Sequence, residues 1–334
     1  LTYIYKTKGT EKSFRNLIRC FGIDEELIKL NMYADNITFE LQNNRQNIVS
    51  ADNYVDFNTL DGTTATVYNY ADPANTNSVG SIPVNVDLTG GYAVTMETEI
   101  LFPRKLDRDA AAYINTNVIS SSLFGIHSAS AVSTDTTWAA PDTVNFQVYA
   151  ERDEVSSTNA KFVLTSSTNG LIPRLTSSLI QDLYNNNRWN LSVRIKPEQY
   201  PLVGLVDSTS TNYIVELHGV QADSGEILEE FTVSHTITAP ATGFMTGSRR
   251  AYIGAHRQDF TGSVLQASDV KVNACRYWLD YVEDAALRAH ALDTENYGAL
   301  QPHLFAYGFN TVGTFWDIQK IDTLVFNWEF LQNT

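Results

Sequence analysis

Cysteine is nearly absent: Cys20 and Cys275 are the only two in 334 residues. Two thiols so far apart make no disulfide framework, and both read as reduced, buried thiols of a chain made in a reducing cytoplasm. No apolar run approaches the ~20 residues that a membrane-spanning helix needs, and no signal peptide is present. Positive charge is also scarce: 23 Lys and Arg face 38 Asp and Glu, a formal net charge of −15. So acidic a surface repels phosphate backbones, which excludes nucleic-acid binding away from the first helix. The short catalytic signatures are missing too. There is no G-x-S-x-G nucleophile turn, and "GTEKS" lacks the spacing of a phosphate loop. The six histidines, His127, His218, His235, His256, His290 and His303, are dispersed, with no pair at zinc-site spacing.

What is present is ordinary for a globular chain, 43% hydrophobic and 18% charged, which argues against global disorder. The charge is unevenly placed. Residues 1–30 carry Lys6, Lys8, Lys12, Arg15, Arg19 and Lys29 against Glu11, Asp24, Glu25 and Glu26, so the rest of the chain holds a formal −17. The chain opens on Leu1 rather than methionine, which reads as a piece of a longer chain or as a processed start.

In residues 1–45 the pattern predicts a small helical module. Thr10 is placed to N-cap a helix and Gly22 to stop it in a left-handed turn. Phe14, Leu17, Ile18 and Phe21 share one face, while Lys12, Arg15, Asn16 and Arg19 take the other. Asp24 could cap a second short helix with Glu25 and Glu26 in its first turn. Three turns of helix are marginal alone, so the apolar stripe must dock on something. From physics alone that cover is either the following domain or a partner.

From about residue 46 the texture becomes rich in Ser, Thr, Asn and Asp, and apolar residues alternate. In "YAVTMETEILF", Val94, Met96, Thr98 and Ile100 face one way and Thr95, Glu97, Glu99 and Leu101 the other. Similar runs are "NYVDFN", "SSLFGIHS", "VNFQVYAE", "AKFVLTSS", "RWNLSVRIK", "YIVELHGV", "EEFTVSHTI", "RAYIGAH" and "DVKVNACRYWLDYV". So many short strands with few helices argue for an antiparallel sandwich; a closed barrel is the competing solution, and periodicity does not separate them. Residues 293–334 break the pattern. "IDTLVFNWEF" is strand-like but ends without a turn back, and an apolar terminal strand needs a partner. This stretch is expected to be a connector or the start of a further domain.

Two resemblances sharpen the reading. "YKTKGTEKSFRNLIRCFGIDEELIKLNMY" resembles a segment of bacteriophage tail and baseplate proteins, with "Y-x-x-K-G-T", an amphipathic helix and "FGI" over about thirty residues. It implies a virion component made in the host cytoplasm, docked through Phe14, Leu17, Ile18, Phe21, Lys12, Arg15 and Arg19. The partners implied are other virion subunits, in a homo- or hetero-oligomeric assembly. "NRWNLSVRIKP", "YVDFN" and "AYIGAHRQDFTGSVLQASDVKVNACRYWLDYV" resemble strands of laminin-G and concanavalin A-like jelly rolls across residues 46–292. The resulting expectation is a mostly β chain: a concanavalin A-like, laminin-G-like antiparallel β-sandwich jelly roll with a small N-terminal helical module.

Concanavalin-like sandwiches include glycoside hydrolases, so Glu97 and Glu99 need weighing. Same-face residues two apart on a strand lie roughly 6–7 Å apart, permissive for a retaining pair at about 5 Å. The pattern nevertheless turns apolar at once in "EILF", which favours a solvated outer face; Glu216 in "YIVELHGV" reads the same way. No enzyme is expected. The lectin-like alternative rests on Trp138, which lies in the non-alternating "STDTTWAAPD" and with Asp135, Asp142 and Arg152 could offer a shallow glycan platform. The other reading of Trp138 is a side chain folded over the sandwich edge. Trp189, Trp278 and Trp328 follow strand patterns and read as core. Laminin-G-like domains often hold one calcium at a sheet rim, which would fall to Asp259 and Asp142; no other cofactor is implied.

Overall fold

The computed structural model describes residues 2–22, 53–69, 93–104, 118–128, 144–155, 157–168, 170–201, 212–223, 225–237, 243–246, 249–295, 297–298 and 320–330. The chain divides into two compact units, Leu1–Ile48 with Leu300–Phe315, and Val49–Ala299 with Trp316–Thr334.

Of the first unit, the described part is a helical pair, α1 (Thr2–Lys6) and α2 (Glu11–Cys20). Thr10 takes the extended N-cap conformation, but its hydroxyl turns back to donate to the Thr7 carbonyl at 2.7 Å instead of capping α2. Gly22 stops the helix at φ +77°, its N–H donating to the Arg19 carbonyl at 3.0 Å. Only glycine adopts that left-handed turn at little cost. Cys20 is exposed rather than buried, like Leu17 and Arg19 in the same last turn of α2; Cys275 is buried as expected. The second helix expected at Asp24 lies outside the described residues.

The second unit is a two-layer antiparallel sandwich. One sheet runs β1 (Val55–Asp56), β14 (Lys271–Trp278), β3 (Val94–Phe102), β8 (Asn187–Pro197), β9 (Tyr213–Asp223), β10 (Glu226–Ile237), with β15 (Leu324–Glu329) also against β14. The other runs β2 (Thr66–Tyr68), β11 (Arg249–Gly254), β4 (Ser120–Ser128), β5 (Phe146–Arg152), β6 (Ala160–Thr165), β7 (Leu175–Thr176). A small ribbon, β12 (His256–Arg257) with β13 (Val264–Gln266), and a turn of helix, α3 (Gly243–Thr246), complete the connections. The chain lays β4 to β7 in one sheet and β8 to β10 in the other, crosses between the sheets before, between and after these runs, and brings its first and last strands to β14 in one layer, which makes this a concanavalin A-like jelly roll. The sandwich reading is right and the barrel is excluded.

Alternation builds the core. Trp189, Leu191, Val193 and Ile195 of β8 point inward against Phe146, Val148 and Ala150 of β5 and Phe162 and Leu164 of β6. Aromatic rings cross the interlayer space: Phe162 packs edge-on to Trp189 at 5.3 Å and stacks on Phe231 at 5.5 Å. Each buried large side chain of this kind contributes on the order of 2–3 kcal/mol. Gly254 ends β11 at φ +85°, where a Cβ would fall 2.3 Å from the Phe57 ring, so the close packing of Phe57 requires glycine there.

Two features depart from expectation. Residues 293–334 were read as a connector after a sandwich ending at 292, yet Leu324–Glu329 is a strand of the first sheet. It pairs with β14 over Ala274–Trp278, just beyond the two residues that β1 occupies on the same edge. The apolar strand finds its partner within the body. Second, the outer face of the first sheet is not solvated over β14, β3 and β8. α4 (Asp284–Leu292) lies over it, and Trp278, Val282, Ala286 and Leu287 form a small second core between them.

Candidate functional site

The carboxylates singled out in the sequence lie on that covered face. Register places Asn327, Arg276, Glu97, Ser192, His218 and Thr232 side by side across six neighbouring strands. Period two puts Glu97 and Glu99 on this side together, as expected. Their exposures of 1% and 2% overturn the solvated reading.

Each carboxylate is fully engaged. Trp278 Nε1 donates to Glu97 Oε1 at 3.0 Å, and His290 Nδ1 lies 3.0 Å from Oε2. Arg276 Nη1 is 3.7 Å from Oε1. Burial alone would raise the Glu97 carboxyl; His290, Arg276 and the Trp278 N–H outweigh it and hold it down to about 2. Glu99 pairs with Arg188 Nε at 3.1 Å and accepts a hydrogen bond from the Thr294 hydroxyl. Arg276 also reaches Glu329 at 3.3 Å and stacks over the Tyr297 ring at 4.1 Å. Further along, Arg194 Nη2 lies 3.0 Å from Glu216 Oε2, which accepts from the Tyr281 hydroxyl at 2.7 Å. Glu216 too is therefore an ion-paired residue rather than an outward one.

A glycosidase acid must keep its proton near neutral pH, through a raised pKa. Glu97 is shifted the opposite way and sealed beneath α4. What the arrangement does is mechanical: Asp284 on Arg194, Arg288 on Glu230 at 2.9 Å, His290 on Glu97 and Thr294 on Glu99 fix α4 to the sheet along its length.

The other candidates divide. Trp138, Asp135 and Asp142 lie outside the described residues. Arg152, grouped with them as a glycan contact, points into the sandwich: its Nη2 is 2.7 Å from Asp269 Oδ2 and its guanidinium lies 3.5 Å over the Tyr184 ring. Burial works against the Arg152 charge, but Tyr184 and Asp269 raise its pKa net, so the group is held as an internal cation. Asp259 sits in a single turn at Gln258–Phe260, and its side chain lies outside the description. Among the described residues no group of three or more His, Cys, Asp or Glu is placed to hold a metal ion.

Two histidines that look unrelated in sequence meet on the outer face of the second sheet. His127 of β4 and His256 of β12 have ring centroids 5.0 Å apart, with Tyr252 packed on both and Phe260 on His127 and Tyr252. Burial, then the neighbouring His256, hold the His127 imidazole well below its ordinary range, and burial holds His256 down to about 3. The signal was cross-strand: "FGIHS" and "RAYIGAH" become adjacent only once β4 and β11 pair.

The candidate assembly residues lie on α2, with Phe21 at its C-cap. Phe14 is 57% exposed, Leu17 44% and Phe21 76%, with Ile18 half-buried. Lys12, Arg15 and Arg19 are exposed beside them. This is the described element that combines a continuous exposed apolar ridge with a cationic flank.

No protein-family model matches the chain, and no curated protein matches it by sequence. Among solved structures, a heptameric SAP-like pentraxin from Limulus polyphemus gives a TM-score of 0.39 at 9% identity, covering 72% of this chain and 82% of the pentraxin. Tailspike protein 2 of the Escherichia coli O157:H7 bacteriophage CAB120 gives 0.36 at 10% identity, covering 72% of this chain and 28% of the tailspike. A candidate carbohydrate-binding protein from Bacteroides ovatus gives 0.30 at 9% identity, covering 68% of this chain and 46% of that one. Likenesses at these scores carry no argument about residues or role; the fold assignment rests on the strand order above.

Proposed function

We propose that this chain is a non-enzymatic structural protein of a bacteriophage virion, in the tail or baseplate, whose sandwich serves as a rigid docking and display unit. The observation that carries the reading is the exposed ridge of Phe14, Leu17 and Phe21 on α2. Apolar side chains aligned on a short helix gain stability only when covered, and cover by a partner is an assembly contact. Two further points support it. The segment containing α2 resembles one found in phage tail and baseplate proteins. The carboxylates best placed for hydrolysis are locked into ion pairs under α4, which favours architecture over catalysis.

The test is incorporation. In the intact particle the chain should be present at fixed stoichiometry, and Phe14→Asp with Leu17→Asp should abolish its incorporation while the sandwich stays folded. Normal incorporation of that variant overturns the docking role. A glycan-array signal that disappears on Trp138→Ala would instead make the chain a carbohydrate-recognition module. Release of reducing ends from a polysaccharide, dependent on Glu97 or Glu99, would make it an enzyme.

A further inference from the structure

The second sheet ends on short strands, β2 with three residues and β7 with two. The first sheet ends on β10, twelve residues long, with β9 on one side and no described strand on the other. A long free edge offers a row of unpaired N–H and C=O groups, which proteins guard with lysine, proline, bulges or charges. In β10 those devices stop early. The bulge at Leu228 and the glutamates Glu226, Glu229 and Glu230 all fall in its first five residues. The rest, Phe231–Ile237, reads FTVSHTI and has no Lys, Arg, Asp, Glu, Pro or Gly. Thr232, Ser234, His235 and Thr236 are exposed, so nothing closes over this part of the edge.

The sequence of the stretch decides what fits there. Counted outward from Ser234 in both directions, Thr232 matches Thr236 and Phe231 matches Ile237, with Val233 and His235 between. A second β10, antiparallel and centred on Ser234, therefore sets like against like. Thr232 meets Thr236 on the outer face, a favourable cross-strand pair. Phe231, which stacks on Phe162 inside the sandwich, meets the buried Ile237 on the inner face. The glutamates stay out of the seam. Glu230 of one copy lies eight residues of register from Glu230 of the other, about 27 Å, several Debye lengths at physiological salt. Sliding the centre toward the bulge brings Glu229 and Glu230 against their own copies, which like-charge repulsion disfavours.

We propose that the chain forms a two-fold dimer by antiparallel pairing of β10 with β10 of a second copy, centred on Ser234. Seven residues from each copy supply about six to eight main-chain hydrogen bonds and join the two first sheets edge to edge into one layer. The contact is isologous, so it closes at two copies. It involves the sandwich alone and stands or falls independently of the docking role of α2.

The experiment is sedimentation velocity on the purified full chain at neutral pH over roughly 1–100 μM, where the wild type should approach twice the monomer mass. Ser234 is exposed, and its neighbour on β9, Glu216, is already held by Arg194 and Lys196, so a charge at 234 leaves the fold intact. At the two-fold axis residue 234 faces its own copy. Ser234→Lys or Ser234→Glu alone should weaken dimerisation by on the order of tenfold, and mixing the two should restore it, since lysine then faces glutamate. Ser234→Cys in a Cys20→Ser background should form a disulfide between copies on oxidation, because directly opposed Cα atoms lie about 4.5–5.5 Å apart. His235→Cys in the same background should not, as its Cα is offset from its own copy by two residues, roughly 8 Å. A wild type that stays monomeric, charged variants that dimerise as well as wild type, or a mixture that stays monomeric overturns the proposal. So does cross-linking through position 235 but not 234. A monomeric wild type whose Ser234→Lys variant is lost from intact particles also overturns it, and assigns the edge to a strand of another subunit.

Discussion

Acid should destabilise the sandwich through its buried histidines, in a window that can be named. His127 and His256 are held neutral in the folded protein, with His256 at about 3 against an ordinary 6.5. When the folded-state pKa of a histidine is depressed, the unfolded chain takes up the proton first. Stability is therefore complete above about pH 6.5 and falls as pH drops toward the folded value. At pH 4.5 His256 has lost about 2.7 kcal/mol, a large fraction of the stability of many domains, and His127 adds to the loss in the same direction. His218, depressed to about 4 chiefly by burial, adds a further proton over most of that range. One proton is worth about 1.4 kcal/mol per pH unit, so between pH 6 and 4.5 His256 and His218 together set a slope of about 3, which His127 steepens. Urea unfolding at closely spaced pH values reads this slope directly. His127→Gln with His256→Gln should reduce it to about half or less, leaving the His218 share, whatever the variant does to absolute stability. Glu97 does not interfere, because its folded value of about 2 places its contribution below pH 4.5. An unchanged slope in the double variant would show that these imidazoles are protonated or hydrated in the folded state, and would refute the reasoning.

Two further outcomes follow from the same physics. Glu97→Gln should lower stability by about 3–5 kcal/mol at pH 7, because it removes the buried carboxylate that His290 and Arg276 share, leaving Arg276 only Glu329. It should also remove the acid limb: the depressed Glu97 carboxyl stabilises the fold above about pH 4.5 and loses about 3 kcal/mol of that as pH falls toward 2, a loss the glutamine variant lacks. Thiol titration should count one reactive cysteine in the native chain, the exposed Cys20, and two in denaturant. Cys275, buried with its thiol pushed up to about 12, should stay silent until the sandwich opens; two native thiols would mean that β14 is not packed as described.

The strands were legible because period two is local. Phe146, Val148 and Ala150 alternate with Gln147, Tyr149 and Glu151 within a seven-residue window, and no distant information is needed to call β5 a strand. What lay outside any window was the cover. Alternation placed Glu97 and Glu99 together on one side of β3, but whether that side meets water depends on α4. Its His290 lies 193 residues from Glu97. The destination of "IDTLVFNWEF" was hidden for the same reason: its apolar alternation demanded a neighbour, yet the open edge of β14 becomes visible only after β1 is seen to occupy two of its residues. On α2, by contrast, the ridge and the cationic flank follow from helical periodicity alone and were legible in full. Only the exposure of Phe14, Leu17 and Phe21 required the structure.

Where the charges are buried bears on how such a chain finds its neighbours. Among the described residues the buried ions are paired: beneath α4 Arg276 with Glu97, Arg188 with Glu99 and Arg194 with Glu216, and elsewhere Arg152 with Asp269. Buried pairs of this sort do little for net stability, but each removes one cation and one anion from the surface together. The formal −17 carried by residues 31–334 is therefore not reduced by these pairs. Against that field the few exposed cations of α2 stand out as a localised pole. A basic, apolar helix on a chain this acidic draws an acidic partner surface and orients the encounter. The expected signature is an association rate that falls steeply with ionic strength while dissociation, governed by Phe14, Leu17 and Phe21, changes little.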